Sequence, residues 1–369
     1  MKLQKPFHAN SQNRTQLSPI NCICGDPYSW FDTEFFRNED LYVATFDFFI
    51  NWSNNSFQPI AWIKRLLYNE FSLDPQTIFK AIIKCDGIDY YHQMRLFCEK
   101  NNIELSYIII PDIEESNWIN LENKVILFNV MKYDKNHDDT AAVECLNVKE
   151  LIERIHLYKV DCTTAYMGEK GLFYSTSSLE SFLSKKQTAI NYDKDAIYPG
   201  DVDVVIFNKD YKPLIIIEIK KHTKAYEAAP TINEDSIGLW CKKDRNKYES
   251  LDILQKHWNC EFYMLIYPTT TERVFKLEKV DNLTVTKSKI LPLPCVHSQI
   301  ELKLFHDQFN DFVNSKPVIA NKTASGTKLY HTDLRCKYIP RDSKRITYFE
   351  SISQAEDSGY NLCSTCRNS

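Results

Sequence analysis

The sequence has no run of about 18 apolar residues, the length a membrane-spanning helix requires. Its opening stretch, Met1 to Thr15, is polar and holds no apolar core of a secretory signal. Together these absences set the expectation of a cytoplasmic protein without a membrane partner. Net positive charge is also missing: Lys+Arg 45 against Asp+Glu 49 gives -4, so a uniformly basic nucleic-acid coat is excluded and any such site must be focal. No internal repeat is apparent. What is present is ordinary globular composition, 43% hydrophobic and 25% charged, over 369 residues, enough for two or three domains.

The twelve cysteines, in a large chain read as cytoplasmic, point to reduced thiols or metal ligands, and spacing separates the two. Cys85, Cys98, Cys145, Cys162, Cys241, Cys260 and Cys295 stand singly among apolar residues and read as small buried hydrophobes. Cys22 and Cys24 have one residue between them and no second pair nearby, the pattern of free thiols. The three remaining cysteines are taken up below with their histidine.

Strand-like runs at Leu41 to Ile50, Leu105 to Pro111 and Val125 to Val130 alternate with helical stretches expected at Pro59 to Phe71, Asp74 to Ile83 and Ile88 to Asn101. They form an N-terminal α/β domain, residues 1–160, that carries no catalytic constellation. A second domain, 161–315, follows. Within it, a Ser/Thr-capped helix at Ser175 to Ser184 contains Glu180, and the runs Val202 to Phe207 and Leu214 to Ile219 flank the polar turn Asn208 to Pro213 as an antiparallel hairpin. A helix at Lys243 to His257, strands at Glu261 to Tyr267 and Glu272 to Lys279, and a helix at Gln299 to Val313 complete it. Asn314 to Thr327 reads as linker, leaving 316–369 as linker plus a small module.

The hairpin concentrates chemistry. Asp203 lies in the first strand, and alternation puts Glu218 and Lys220 on one face of the second with Ile217 and Ile219 on the other, so Asp203 can face Glu218. Two carboxylates among Val and Ile repel unless a cation joins them, and hard Mg²⁺ or Mn²⁺ suits such oxygens. A metal there would polarise a phosphodiester and activate a water that Lys220 orients. Asp201 is a weaker candidate at the strand start. His222 reads as a strand-end hydrogen-bond partner rather than a general base. Lys243, Arg245 and Lys247, at the start of the next helix, suit backbone phosphates or simply form a solvated basic face.

Helix Glu180, then Pro199-Gly-Asp-Val-Asp203, hairpin and Glu218-Ile-Lys220 resemble the PD-(D/E)xK nuclease superfamily over about Ser175 to Val280. The resemblance implies a restriction endonuclease-like core, a central mixed β-sheet flanked by helices, that cleaves nucleic acid with Mg²⁺. By it, Asp203 and Glu218 are metal ligands, Lys220 is the catalytic lysine and Glu180 is the first-helix acid. Asp244 and Tyr248 have the spacing of the Gln-x-x-x-Tyr motif of RecB-like members, with Asp in place of Gln.

His331-x4-Cys336-x26-Cys363-x2-Cys366 offers an imidazole and three thiolates at a spacing that fits tetrahedral Zn²⁺, in a segment too short to fold on its own core. Lys328-Leu-Tyr-His331 to Cys336, Ile352 to Glu356 and Gly359 to Cys366 resemble the metal-binding domain of Ada-type DNA repair proteins. His331 stands where that family has its methyl-acceptor cysteine, which favours a structural or DNA-docking module over alkyl transfer.

The expectation is therefore a metal-dependent nuclease, with DNA and endonucleolytic cutting favoured and RNA left open, in a restriction-like or antiviral defence setting by analogy. Its rival is a non-catalytic nucleic-acid-binding or scaffold protein with a degenerate nuclease fold, and an alkyl-acceptor protein ranks third. The N-terminal domain is left for self-association or a protein partner.

Overall fold

A computed structural model describes residues 27–50, 61–68, 71–111, 124–133, 140–147, 150, 200–222, 231–232, 234–240, 245–268, 272–315, 318–332, 336–340, 345–349 and 352–367. The described residues form two compact units. The first takes 31–217 and 245–260, and the second takes 27–30, 218–240 and 261–367. The sequence boundary at 160/161 lies outside the described residues.

In the first unit, strands β1 (Leu41–Ile50), β2 (Ala61–Tyr68), β3 (Glu104–Pro111), β4 (Lys124–Asn129), β5 (Val143–Asn147), β6 (Gly200–Asn208) and the start of β7 (Pro213–His222) lie in the order β7-β6-β1-β2-β3-β4-β5. β2 and β3 run parallel, and the other pairs are antiparallel, so the sheet is mixed. Helices α1 (Pro75–Asp86), α2 (Ile88–Lys100) and α3 (Arg245–Trp258) belong to the same unit. The Asp74 carboxylate accepts from the backbone of Gln76 and Thr77 to start α1, with Pro75 filling a position whose N–H has no partner inside the helix. Gly87, at φ 82°, then permits the corner into α2. Phe97 of α2 meets Phe207 of β6 in a tilted pair, with centroids 4.6 Å apart, and Trp258 of α3 at 6.1 Å, so both helices pack beside the hairpin strand.

One expected helix is a strand. Residues 61–68 pair with β3 over eight positions, from Ala61 with Glu104 to Tyr68 with Pro111. Pairing along a whole strand outweighs the modest helical preference of the Lys-Arg-Leu-Leu stretch, a short apolar run whose periodicity does not separate the two states.

The second unit holds the end of β7, a short helix Ile237–Trp240, the antiparallel meander β8 (Glu261–Pro268), β9 (Val274–Asp281) and β10 (Thr284–Pro292), and helix α4 (Gln299–Asn314). The β9–β10 turn passes through Asn282 and Leu283, both at positive φ (48° and 58°), as a two-residue hairpin turn demands. With no glycine at either position the turn leaves little trace in the sequence, and β10 was not expected. Leu302, Phe305, Phe309 and Phe312 line the buried side of α4. Phe305 meets Trp30 and Phe275, and Phe309 and Phe312 meet Tyr263. Each such side chain contributes about 1.5–3 kcal/mol by leaving water.

Lys287 of β10 is 2% exposed. Its ammonium donates to the carbonyls of Phe312 and Ser315 and to the Ser315 hydroxyl, and lies 4.3 Å from the Phe312 ring centroid. A cation there answers the free carbonyls and the negative dipole end of α4. The segment expected to be a linker then enters a four-stranded sheet, ordered β13-β11-β12-β14, of β11 (Val318–Lys322), β12 (Lys328–His331), β13 (Ile346–Phe349) and β14 (Asn361–Leu362). The polar composition of 314–327 reflects the turn Thr323–Thr327 and hides β11, whose apolar residues number only Val318, Ile319 and Ala320.

Lys287→Met keeps the apolar stem and removes the charge. Loss of charge-assisted bonds to buried acceptors is expected to cost roughly 2 kcal/mol, seen as faster amide hydrogen exchange in residues 308–315 while α1 and α2 exchange as before.

Candidate metal centre and hairpin carboxylates

β12 is held between β11, where Ile319 pairs with His331, and the short parallel β14, where Tyr330 pairs with Leu362. The Cys363 N–H donates to the Tyr330 carbonyl at 2.9 Å, which fixes the end of β14 beside His331. A turn closed by Ile339 N–H to Cys336 O carries Cys336, and the short helix Ser364–Arg367 carries Cys366. The helix Ile352–Asp357, between the half-sites, ends at Gly359 (φ 79°), which turns the chain back into β14.

His331, Cys336, Cys363 and Cys366 are all buried, and their ligand atoms lie within 4.8 Å of one another. The Cys336 and Cys363 sulfurs are 3.9 Å apart, and Cys366 Sγ is 3.6 Å from His331 Nδ1. A tetrahedron with bonds of about 2.3 Å to sulfur and 2.0 Å to nitrogen requires about 3.8 Å and 3.5 Å, so these two separations match those of a zinc shell. His331 Nε2–H donates to Asn321 Oδ1 at 2.7 Å. That bond fixes the tautomer and leaves Nδ1 as the bare ligand atom, the usual outer support of a metal-bound histidine.

Burial lowers the His331 pKa and thus keeps the ring neutral. Burial also pushes the Cys336 thiol up to about 11. At Cys363 burial acts in the same direction, but the backbone N–H groups of Thr365 and Cys366 and the neighbouring sulfurs outweigh it and lower the thiol. The group could hold a metal ion, and a His/Cys₃ donor set suits zinc. All four sequence candidates for zinc meet here.

At the hairpin, the structure pairs Val204 with Ile217, Val205 with Ile216 and Ile206 with Ile215. Asp203 precedes the first of these pairs and is 7% exposed; Glu218 follows it and is 2% exposed. Against β1 the register steps from Ala44–Val205 to Phe46–Val202, leaving Asp203 and Val204 opposite Thr45 alone. Such a bulge re-aims side chains locally. Lys220 is half-buried on β7, two residues beyond Glu218. Glu180, Lys243 and Asp244 lie outside the described residues. Arg245 and Lys247 fall in the first turn of α3, and Tyr248 is buried there. Asp201 sits in β6, next to its first residue.

The second unit also contains a buried polar network that spacing alone did not reveal. His222 Nδ1–H donates to Asp235 Oδ2 at 2.7 Å, while the Asp235 carbonyl accepts from Lys276 Nζ at 2.6 Å. Lys276 pairs with Glu278 at 2.9 Å, and Glu278 accepts from Ile237 N–H at 3.0 Å. Burial raises the Glu278 pKa against the pull of Lys276. His222 is thus the strand-end hydrogen-bond partner its sequence context suggested. Asp235 follows a turn and Lys276 and Glu278 alternate along β9, so nothing short-range marks them as a set.

No protein-family model and no curated protein matches the chain. A solved structure, that of the sex pheromone staph-cAM373 precursor, aligns at 12% identity over 79% of this chain and 100% of that one, with a TM-score of 0.14, too low to bear on fold or function. Among the described residues no helix is long and apolar enough to cross a membrane.

Cys363→Ala is expected to abolish stoichiometric zinc measured by plasma emission, and to raise hydrogen exchange across residues 318–367 while α1 and α2 stay protected. Asn321→Leu, which removes only the support of His331, should weaken zinc binding by about 10–100-fold in a chelator competition.

Proposed function

We propose that the chain is a metal-dependent nuclease acting on DNA, with the hairpin as its active site and the metal module as an accessory nucleic-acid grip. The observation that carries this reading is the β6–β7 register. Asp203, 7% exposed, and Glu218, 2% exposed, sit just beyond the Val204–Ile217 pair on their respective strands. A cation held by two buried carboxylates would offset their charges, and the bulge at Asp203 is a feature common beside active sites. Mg²⁺ or Mn²⁺, when bound, would supply polarisation of the phosphate and an activated water. Asp203 and Glu218 would hold it, and Lys220 would orient the water and offset charge on the phosphate oxygens. Glu180 would brace the carboxylates, and Lys243, Arg245 and Lys247 would meet the backbone phosphates. Endonucleolytic cutting and a defence role follow from the resemblance to PD-(D/E)xK enzymes.

The rival reading, a non-catalytic nucleic-acid-binding scaffold, takes support from the His/Cys₃ group, the one cluster of potential metal ligands found among the described residues. Circular double-stranded, circular single-stranded and linear DNA, alongside RNA, separate the two when incubated with Mg²⁺, Mn²⁺ or EDTA. A nuclease cuts with metal and fails in EDTA. Asp203→Ala and Lys220→Ala should each slow cutting by about 10²-fold or more. Binding without cutting by the wild type under every metal condition would hand the assignment to the scaffold.

A further inference from the structure

The metal module places most of its described aromatic residues inside. Tyr330 and Tyr360 lie in a core with Val318, Ala320 and Ala355, and Phe349 packs against it. Tyr338 is left out. It is 53% exposed, more open than Phe71 at 47%, the other strongly exposed aromatic among the described residues. Its position is nevertheless fixed: it belongs to the turn that Ile339 N–H closes onto Cys336 O, and Cys336 is one of the four grouped metal-ligand residues. The Lys337 ammonium lies 5.1 Å from the Tyr338 ring centroid, and both residues and Arg345 face solvent. The stretch from Thr332 to Arg345 has Arg335, Lys337, Arg341, Lys344 and Arg345 against Asp333 and Asp342.

We infer that Tyr338 is a stacking platform for an unpaired base, with Lys337 holding an adjoining phosphate, so that the module binds single-stranded nucleic acid. A flat ring presented beside a cation matches a ligand with alternating π-faces and negative charges. An acidic protein surface would use the charges and leave the ring without a partner. A duplex keeps its base faces stacked on one another, so only an unpaired strand, a frayed end or a displaced strand offers a face to the ring. A side chain held on a turn anchored at a metal ligand loses little freedom on stacking, which favours binding. The inference shares with the nuclease reading only the premise that nucleic acid is the ligand, and it requires no chemistry at Asp203, Glu218 or Lys220.

The test is fluorescence anisotropy of the zinc-loaded full chain, without added Mg²⁺, against oligo-dT, oligo-U and a duplex, each of about 12 nucleotides per strand. Tyr338→Ala should bind both single strands about tenfold more weakly, with Tyr338→Phe within about twofold of wild type and duplex binding unchanged. Lys337→Ala should weaken all three and lower the salt slope by about one. Stronger binding of dT or of U would identify the strand as DNA or RNA. The inference is overturned if zinc-loaded Tyr338→Ala binds single strands as wild type does, or loses strand and duplex alike. Tyr338→Trp enlarges the ring and guards against an Ala variant that loses its zinc: it should bind single strands at least as tightly as wild type, and weaker binding would also overturn the inference. Cutting assays bear on the hairpin and these assays on the module, so either can fail without the other.

Discussion

An ionisable or polar side chain taken out of water costs several kcal/mol unless a partner answers it inside the protein. The second unit is built around that constraint. Lys287 finds the carbonyl end of α4 and Ser315, His222 finds Asp235, and Lys276 finds Glu278 and a backbone carbonyl. Apart from the Lys276–Glu278 pair within β9, these bonds join separate segments of the chain. Lys287 ties β10 to the helix that leads into the metal module, and the Asp235 and Glu278 contacts tie the segment between β7 and α3 to β9. These bonds add little net free energy when complete, but breaking one leaves a buried group unanswered, which makes the arrangement specific.

The same constraint gives the C-terminal module its logic. Its apolar core is small, so ordering its strands and turns leaves little surplus against chain entropy. Three buried thiols and a neutral imidazole stand within 4.8 Å of one another. A bound dication would resolve the thiol burial, since metal binding replaces the thiol protons and would join both ends of the module at one point. Asn321, on the neighbouring strand, orients the imidazole through the pairing of Ile319 with His331. Pairing of strands therefore sets the ligand geometry before any ion arrives.

The hairpin also carries acids out of water. Asp203 and Glu218 are buried at the edge of an apolar ladder of Val and Ile, and their burial is what gives the nuclease proposal its physical content. Solvated acids in a surface turn would have no need of a cation. The hairpin was legible because its two β-branched runs flank a polar turn, and α1, α2 and α4 were legible from caps and apolar spacing. The strand at 61–68 was not, because its identity depends on β3, some forty residues away, offering a full set of backbone partners. β11 escaped notice for a related reason: three apolar residues between polar segments signal nothing until β12 and β13 flank them.

The sequence by itself determined the chemistry available: which residues can be metal ligands, at what spacing, and which hairpin carries acid on one strand and acid and lysine in alternation on the other. Those features are local, set by residue type and by the periods of strand and helix. Tertiary structure alone decided which polar groups are buried and by what they are answered. Asn321 behind His331, the bulge at Asp203, the chain of His222, Asp235, Lys276 and Glu278, and the exposure of Tyr338 all depend on the tertiary fold, which no short-range pattern encodes.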